Sequence, residues 1–179
     1  MRTGLATVVF LAATLAAPAA LADGDPASDY LITQQAFLPF DAHVDKSSAD
    51  ELSGLLAAAK KAGFEVRVAV ISSKIDLGAV PILYRQPQTY ARFLGQELFY
   101  WYKHELLVVM PNGYGVYRHG KVPPADRAAV AALAPAGTTQ GTALVTAASR
   151  AVRALARKHA VALPAVTAAS RSSSGQRTS

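Results

Sequence analysis

The chain has 179 residues, no cysteine, and 18 Lys plus Arg against 12 Asp plus Glu, a formal charge of +6. At about 100–200 residues per domain it holds one globular domain with accessory segments. The lack of cysteine excludes a disulfide framework, thiolate zinc, cysteine-ligated iron–sulfur clusters and a cysteine nucleophile, and an apolar fraction of 51% excludes a wholly disordered chain.

Met1-Arg2-Thr3 is a short basic start, followed by the uncharged apolar run from Leu5 to Ala17. Pro18 breaks that run, and Ala20-Leu21-Ala22 places small residues two apart before Asp23. This is the layout of a signal peptide over residues 1–22, and it predicts a secreted or extracytoplasmic protein. The alternative is an uncleaved anchor, because Leu5 to Ala22 approaches the shortest length that spans a bilayer. No transmembrane segment is expected after cleavage. The most apolar later stretch, around 142–163, carries Arg150, Arg153, Arg157 and Lys158. Cleavage removes Arg2 alone among the charges. Residues 23–149 then hold 11 bases and 12 acids, whereas residues 150–179 hold six bases and no acid. The surplus of positive charge belongs to the C-terminal end.

Residues 23–47 mix Gly, Pro, Asp and Ser with apolar pieces, and predict a short ordered segment near 29–37 and then a loop. Ser48 with Glu51 three residues on reads as a capping box. Leu52, Leu55, Leu56 and Ala59 then share one helical face, so a helix is expected over about 48–62, stopped at Gly63. Glu65 to Ser72 reads as a strand. Val66, Val68, Val70 and Ser72 lie on one face and Ala69 and Ile71 on the other, which suits a sheet covered on both sides. A long connection spans 73–86. Pro87 can open a helix, predicted over 87–101 with Tyr90, Leu94, Leu98 and Trp101 buried.

Glu105 to Met110 is a second buried strand, and Tyr114 to Arg118 a third. Asn112-Gly113 between them signals a hairpin whose two central residues take positive φ. The strand–helix–strand unit from 65 to 110 should be a right-handed parallel crossover with the hairpin strand antiparallel beside it. Pro123-Pro124 opens an Ala-rich helix. A last helix is expected from Thr138 or Thr139 to about His159, with Leu144, Ala148, Val152 and Leu155 facing the core and Arg150, Arg153 and Arg157 opposite. The globular part is thus read as 23–163. The Ser/Arg tail, 164–179, has too little apolar surface to order itself.

The order of these pieces resembles the TPM domain family, exported or membrane-anchored α/β domains. The likeness rests on Phe40-Asp41-Ala42-His43-Val44-Asp45, the helix with Leu52 and Leu55, and the strand Val66 to Ile71. Tyr90-Ala91-Arg92-Phe93-Leu94, Glu105 to Val109 and Tyr117-Arg118-His119-Gly120 complete it. It covers roughly residues 29–160. The resemblance implies an α/β fold, a three-layer α/β/α sandwich with a small mixed, partly parallel sheet. It also implies an accessory or binding role at the cell envelope more readily than a named reaction. Some relatives are linked to calcium or to weak acid phosphatase activity through acidic residues near the sheet. Here Asp45 matches that pattern, and Lys46 stands where the family often carries an acid.

Ligands of an open α/β sheet bind outside the carboxyl ends of its parallel strands. Those ends supply Ser72, Ser73, Lys74 and Asp76 from one strand, and Asn112 and Gly113 from the other. Asp45 and Asp76 are the candidate cation ligands or acid–base groups of a weak cation-assisted phosphatase, with Ser72 and Asn112 as hydrogen-bond partners. The competing reading is turn chemistry, since Ser and Asp satisfy loop amides and calcium wants about six to eight oxygens. The histidines (His43, His104, His119, His159) show no pair at three- or four-residue spacing, and Val108 replaces the second histidine of a zincin motif after His104-Glu105. No Gly-x-Ser-x-Gly elbow or phosphate-binding glycine loop occurs. Phe99-Tyr100-Trp101-Tyr102 is either a binding platform or a set whose alternate members pack under the sheet edge. The basic end, Arg150, Arg153 and Arg157 with the tail, offers a basic envelope-binding adaptor. The expected partner is an envelope protein or an anionic envelope polymer. Export argues against nucleic acid.

Overall fold

The computed structural model describes residues 24–164. The expected signal segment and the tail beyond residue 164 lie outside the described residues. The elements in chain order are α1 (Pro26–Thr33), β1 (Ala36–Phe37), α2 (Lys46–Lys61), β2 (Val66–Val70), α3 (Pro87–Glu97), β3 (Glu105–Met110), β4 (Gly113–Tyr117), α4 (Pro124–Ala131) and α5 (Gly141–Lys158). Two short 3-10 turns, Ile75–Leu77 and Pro81–Leu83, break up the long connection after β2.

The sheet order is β1-β2-β3-β4, with β1–β2 and β2–β3 parallel and β3–β4 antiparallel. Because side chains alternate across a strand, each apolar strand feeds two cores. Val66, Val68, Val70, Leu107, Val109 and Val116 meet Leu52, Leu56, Leu144, Val152 and Leu155 of α2 and α5 on one face. Ala69, Ile71, Leu106, Val108 and Met110 meet Leu31 of α1 and Tyr90, Leu94 and Leu98 around α3 on the other. This is the expected three-layer α/β/α sandwich with a mixed, partly parallel sheet. Among the described residues no helix is long and apolar enough to cross a membrane.

The short ordered segment expected near 29–37 is present, as a helix followed by a two-residue edge strand. Several local expectations are corrected. The α2 helix starts at Lys46, so Asp45, itself a favoured N-cap residue, takes the cap position, and Ser48 sits inside the first turn. The capping box of Ser48 and Glu51 does not form. Trp101 is exposed rather than buried, because α3 ends at Glu97 and the helical period is lost before residue 101. Phe99 and Tyr100 are exposed with it, while Tyr102 is buried. The hairpin connection is Pro111-Asn112, not Asn112-Gly113, since Met110 pairs with Gly113. Proline locks φ negative at the first loop position, which rules out the expected turn, and Asn112 is not among the residues with positive φ.

The α3 helix lies directly on β4 because two glycines remove the side chains between them. A Cβ at Gly95 would stand 2.0 Å from the Tyr117 ring, and one at Gly115 would stand 2.0 Å from the Pro87 carbonyl oxygen. The second contact is with backbone and cannot be relieved by a rotamer change. Gly115→Ala is therefore expected to destabilise the domain by about 2–3 kcal/mol, read as a lower urea midpoint with an unchanged slope.

The N-cap of α1, Asp25, is buried and accepts hydrogen bonds from Tyr90 Oη at 2.7 Å and Ala27 N at 3.4 Å. Burial, partly offset by the Tyr90 bond, pushes its carboxyl up to about 6. Burial also drives the Tyr90 hydroxyl upward. A raised acid favours the fold most below its unfolded value near 4, and that contribution fades as pH rises through about 6. Asp25→Asn removes this dependence. Relative to the unsubstituted chain, the variant is expected to gain about 2–3 kcal/mol between pH 4 and pH 7, measured by urea unfolding at each pH.

Candidate functional site

The carboxyl end of β2 opens into a cleft of about 960 Å³. Its walls are the loop carrying Asp41, His43 and Asp45, the strand end Ser72-Ser73-Lys74, and the approach to α5 from Thr139 to Ala143. Tyr84 donates a hydrogen bond to the Ser72 carbonyl at 2.7 Å and joins the lining.

Gly141 lets the two loops meet. A Cβ there would lie 2.5 Å from the His43 carbonyl oxygen and 2.7 Å from Val44 Cγ2. The loops are tied in both directions: Thr142 N donates to the His43 carbonyl at 3.2 Å, and Asp45 N donates to Thr142 Oγ1 at 2.9 Å. Both α2 and α5 begin at this cleft, and neither N-cap residue, Asp45 or Gln140, makes a side-chain cap bond. Two long helices thus direct the positive ends of their dipoles at one opening, beside the exposed ammonium of Lys74. The exposed carboxylates of Asp41 and Asp45 and the ring of His43 add polar groups, and His43 Nε2 stands 3.2 Å from Asp45 Oδ1.

Asp76 is fully buried, and its carboxylate is committed to the backbone beneath the cleft. Oδ1 accepts from Phe40 N at 2.9 Å. Oδ2 accepts from Ser72 N at 2.7 Å, Ser72 Oγ at 2.8 Å and Ser73 N at 3.0 Å. Four donors hold the strand end and the loop before α2 in place. Asp45 and Ser72 are therefore brought together in the cleft lining, Asp76 acts on its frame, and Asn112 lies outside the lining. Asn112 Nδ2 instead donates to the Arg85 carbonyl at 2.7 Å, pinning the connection before α3.

On α5, Arg150 and Arg157 are exposed and Arg153 is half-buried, with its guanidinium bonded to the Pro164 carbonyl. Among the described residues two of the three predicted basic groups show no such tie, and the third fastens the end of the described chain.

A second polar cluster lies at the opposite end of the sheet, where Glu105 starts β3. Strand alternation puts Glu105 on the face of Leu107 and Val109, so its carboxyl enters the core between β3, α4 and α5. Arg118 Nε is 3.4 Å from Glu105 Oε2, and Arg118 Nη2 is 3.1 Å from Asp126 Oδ2, ion-pair contacts without hydrogen-bond alignment. His159 Nε2 lies 2.9 Å from Asp126 Oδ1, and the His159 ring stacks on Phe64 at 5.1 Å. Burial first, and the Asp126 charge second, push the Glu105 carboxyl up to about 8 against the pull of Arg118.

The sequence reading passed over this cluster because its members come from distant segments. The usable signal was an acid opening an apolar strand on a face that alternation assigns to the core. Compared with known proteins, the chain matches no family model, no curated protein and no solved structure.

Proposed function

We propose that the chain is an exported, TPM-like accessory domain that binds an envelope protein or an anionic envelope polymer. On this reading the partner enters the cleft at the carboxyl end of β2, and the domain acts by binding rather than by catalysis. The observation that carries it is the convergence of the two helix N-termini and Lys74 on one open cleft. Such an arrangement favours a carboxylate, phosphate or sulfate group of the partner, against the opposing charge of the exposed Asp41 and Asp45 carboxylates in the same lining. The Ser73 hydroxyl in the lining can supply orientation, since the Ser72 hydroxyl and both serine amides are held by Asp76. The commitment of Asp76 to four donors supports binding further, because a cation or a proton-transfer step would have to break the frame of the cleft.

The test is capture from envelope extract, with and without calcium, by three forms of the chain. Thr139→Trp, at an exposed position of the lining, blocks the cleft without removing a packed side chain. The combined Arg150→Glu, Arg153→Glu and Arg157→Glu variant reverses the basic face of α5. A specific partner lost with Thr139→Trp and kept by the charge-reversed form is the expected result. The opposite pattern would give the function to the basic end. Calcium-stimulated hydrolysis of a phosphate monoester that disappears with Asp45→Asn would give it to a phosphatase.

A further inference from the structure

We propose that Glu105, Asp126 and His159 form a binding site for a first-row divalent metal ion of the zinc type, separate from the cleft. The three residues come from the first position of β3, the first turn of α4 and the C-terminal cap of α5. One ligand atom from each lies within 4.8 Å of the other two, and no other group of three such side chains converges among the described residues.

An acidic cluster alone would not point to an ion. The independent observation is that Glu105 is 99% buried and neither of its carboxyl oxygens has a hydrogen-bond partner. Buried polar atoms are ordinarily satisfied, and an orphaned carboxyl is costly unless something pairs with it. Arg118 meets only part of that need. It stands against Oε2 of Glu105 and Oδ2 of Asp126, which leaves Glu105 Oε1 open to an ion, while Asp126 Oδ1 and His159 Nε2 would exchange their 2.9 Å hydrogen bond for bonds to it.

Two carboxyl groups facing one guanidinium also leave a negative charge available to a cation when both are ionised. The Phe64 ring fixes the imidazole plane, and Arg118 holds the outer oxygens, as groups behind metal ligands commonly do. The donor set names the class of ion. One imidazole nitrogen with two carboxylate oxygens suits zinc and its neighbours, whereas calcium wants about six to eight oxygens. His159 and Arg118 are partly exposed, so an ion and a water at its fourth position can enter from the surface. Bound there, the ion would fasten the ends of α4 and α5 to the sheet.

The experiment is calorimetric titration of the tag-free, chelator-treated chain with zinc chloride, with thermal melting in parallel. Saturable binding near one ion per chain and a raised Tm are expected for the unsubstituted chain and for Glu97→Gln, at an exposed acid outside both sites. Glu105→Gln and His159→Gln should each weaken binding at least tenfold. Calcium chloride should give no comparable shift. His104 and His119, whose ring centroids are 6.1 Å apart, supply the competing imidazole pair. Zinc binding that survives both Glu105→Gln and His159→Gln but falls with His104→Gln would overturn the assignment. So would the lack of saturable zinc binding by the unsubstituted chain. Should Glu105→Gln unfold, His159→Gln decides the matter, because that side chain is partly exposed.

Discussion

Asp76→Asn is expected to cost about 3 kcal/mol of folding stability, a loss far larger than Asp45→Asn should cause. The asymmetry follows from what the two carboxylates touch. Asp76 Oδ2 accepts three hydrogen bonds and Oδ1 a fourth, from donors that are buried or partly buried. An amide keeps one oxygen and puts an NH2 group where the other accepted, so at least one buried or partly buried backbone N–H loses its acceptor and faces a donor instead. Each buried donor left without a partner costs about 1–3 kcal/mol. Asp45 is exposed, and its carboxylate makes no side-chain cap bond and pairs only with His43, itself exposed. Exposed pairs of that kind contribute about 0–1 kcal/mol, so Asp45→Asn should stay within about 1 kcal/mol of the unsubstituted chain. Urea unfolding of both variants at pH 7 checks the pair. Equal and small losses would mean that the Asp76 clamp does not hold the strand end.

The second large effect is expected at Arg118. Removing its guanidinium takes the one permanent cation from Glu105 and Asp126, 1–2% exposed as side chains, and leaves Asp126 only the His159 imidazole. Breaking a buried ion pair from one side costs about 3–5 kcal/mol. Because the Arg118 side chain is 32% exposed, Arg118→Ala should fall at the lower end, about 3 kcal/mol. Arg118→Lys should recover only part of this, since an ammonium cannot bridge two carboxyl groups as a planar guanidinium does. Arg150→Ala, on the exposed face of α5, serves as the control and should remain within about 0.5 kcal/mol. Melting and urea curves in the presence of a chelator compare the three.

The framework was readable because it rests on periodicity. Leu52, Leu55, Leu56 and Ala59 repeat at helical spacing, and the two-sided apolar runs of β2 and β3 demand cover on both faces. Helix ends and turns were less readable, since neighbouring residues compete for the same role: Asp45 takes the cap from Ser48, and Pro111 displaces the Asn112-Gly113 turn. The cleft could be placed from the strand ends, which put Ser72, Ser73 and Lys74 in its lining. Its other wall, Thr139 to Ala143, depends on how α5 docks, and no spacing in the sequence encodes that contact. Asp76 shows the same limit. A carboxylate near a strand end reads alike whether it faces a ligand or folds back onto its own loop amides.

The cluster at the far end was hidden for a related reason. Glu105, Asp126 and His159 are separated by 21 and 33 residues, so their convergence is a product of the tertiary fold. The net charge likewise needed dividing before it meant anything. The folded part up to residue 149 is nearly neutral, and its polar chemistry comes from local placement of helix ends and buried acids rather than from overall charge.

The most direct test of binding through the cleft is site-specific photocrosslinking in the native envelope, with the reactive side chain at position 139 in one strain and at position 157 in another. Binding through the cleft should give a discrete crosslinked product from 139, competed away by the Thr139→Trp chain only weakly or not at all and by the unsubstituted chain fully. A product formed from 157 alone, with none from 139, would contradict it and move the interaction to the basic face of α5.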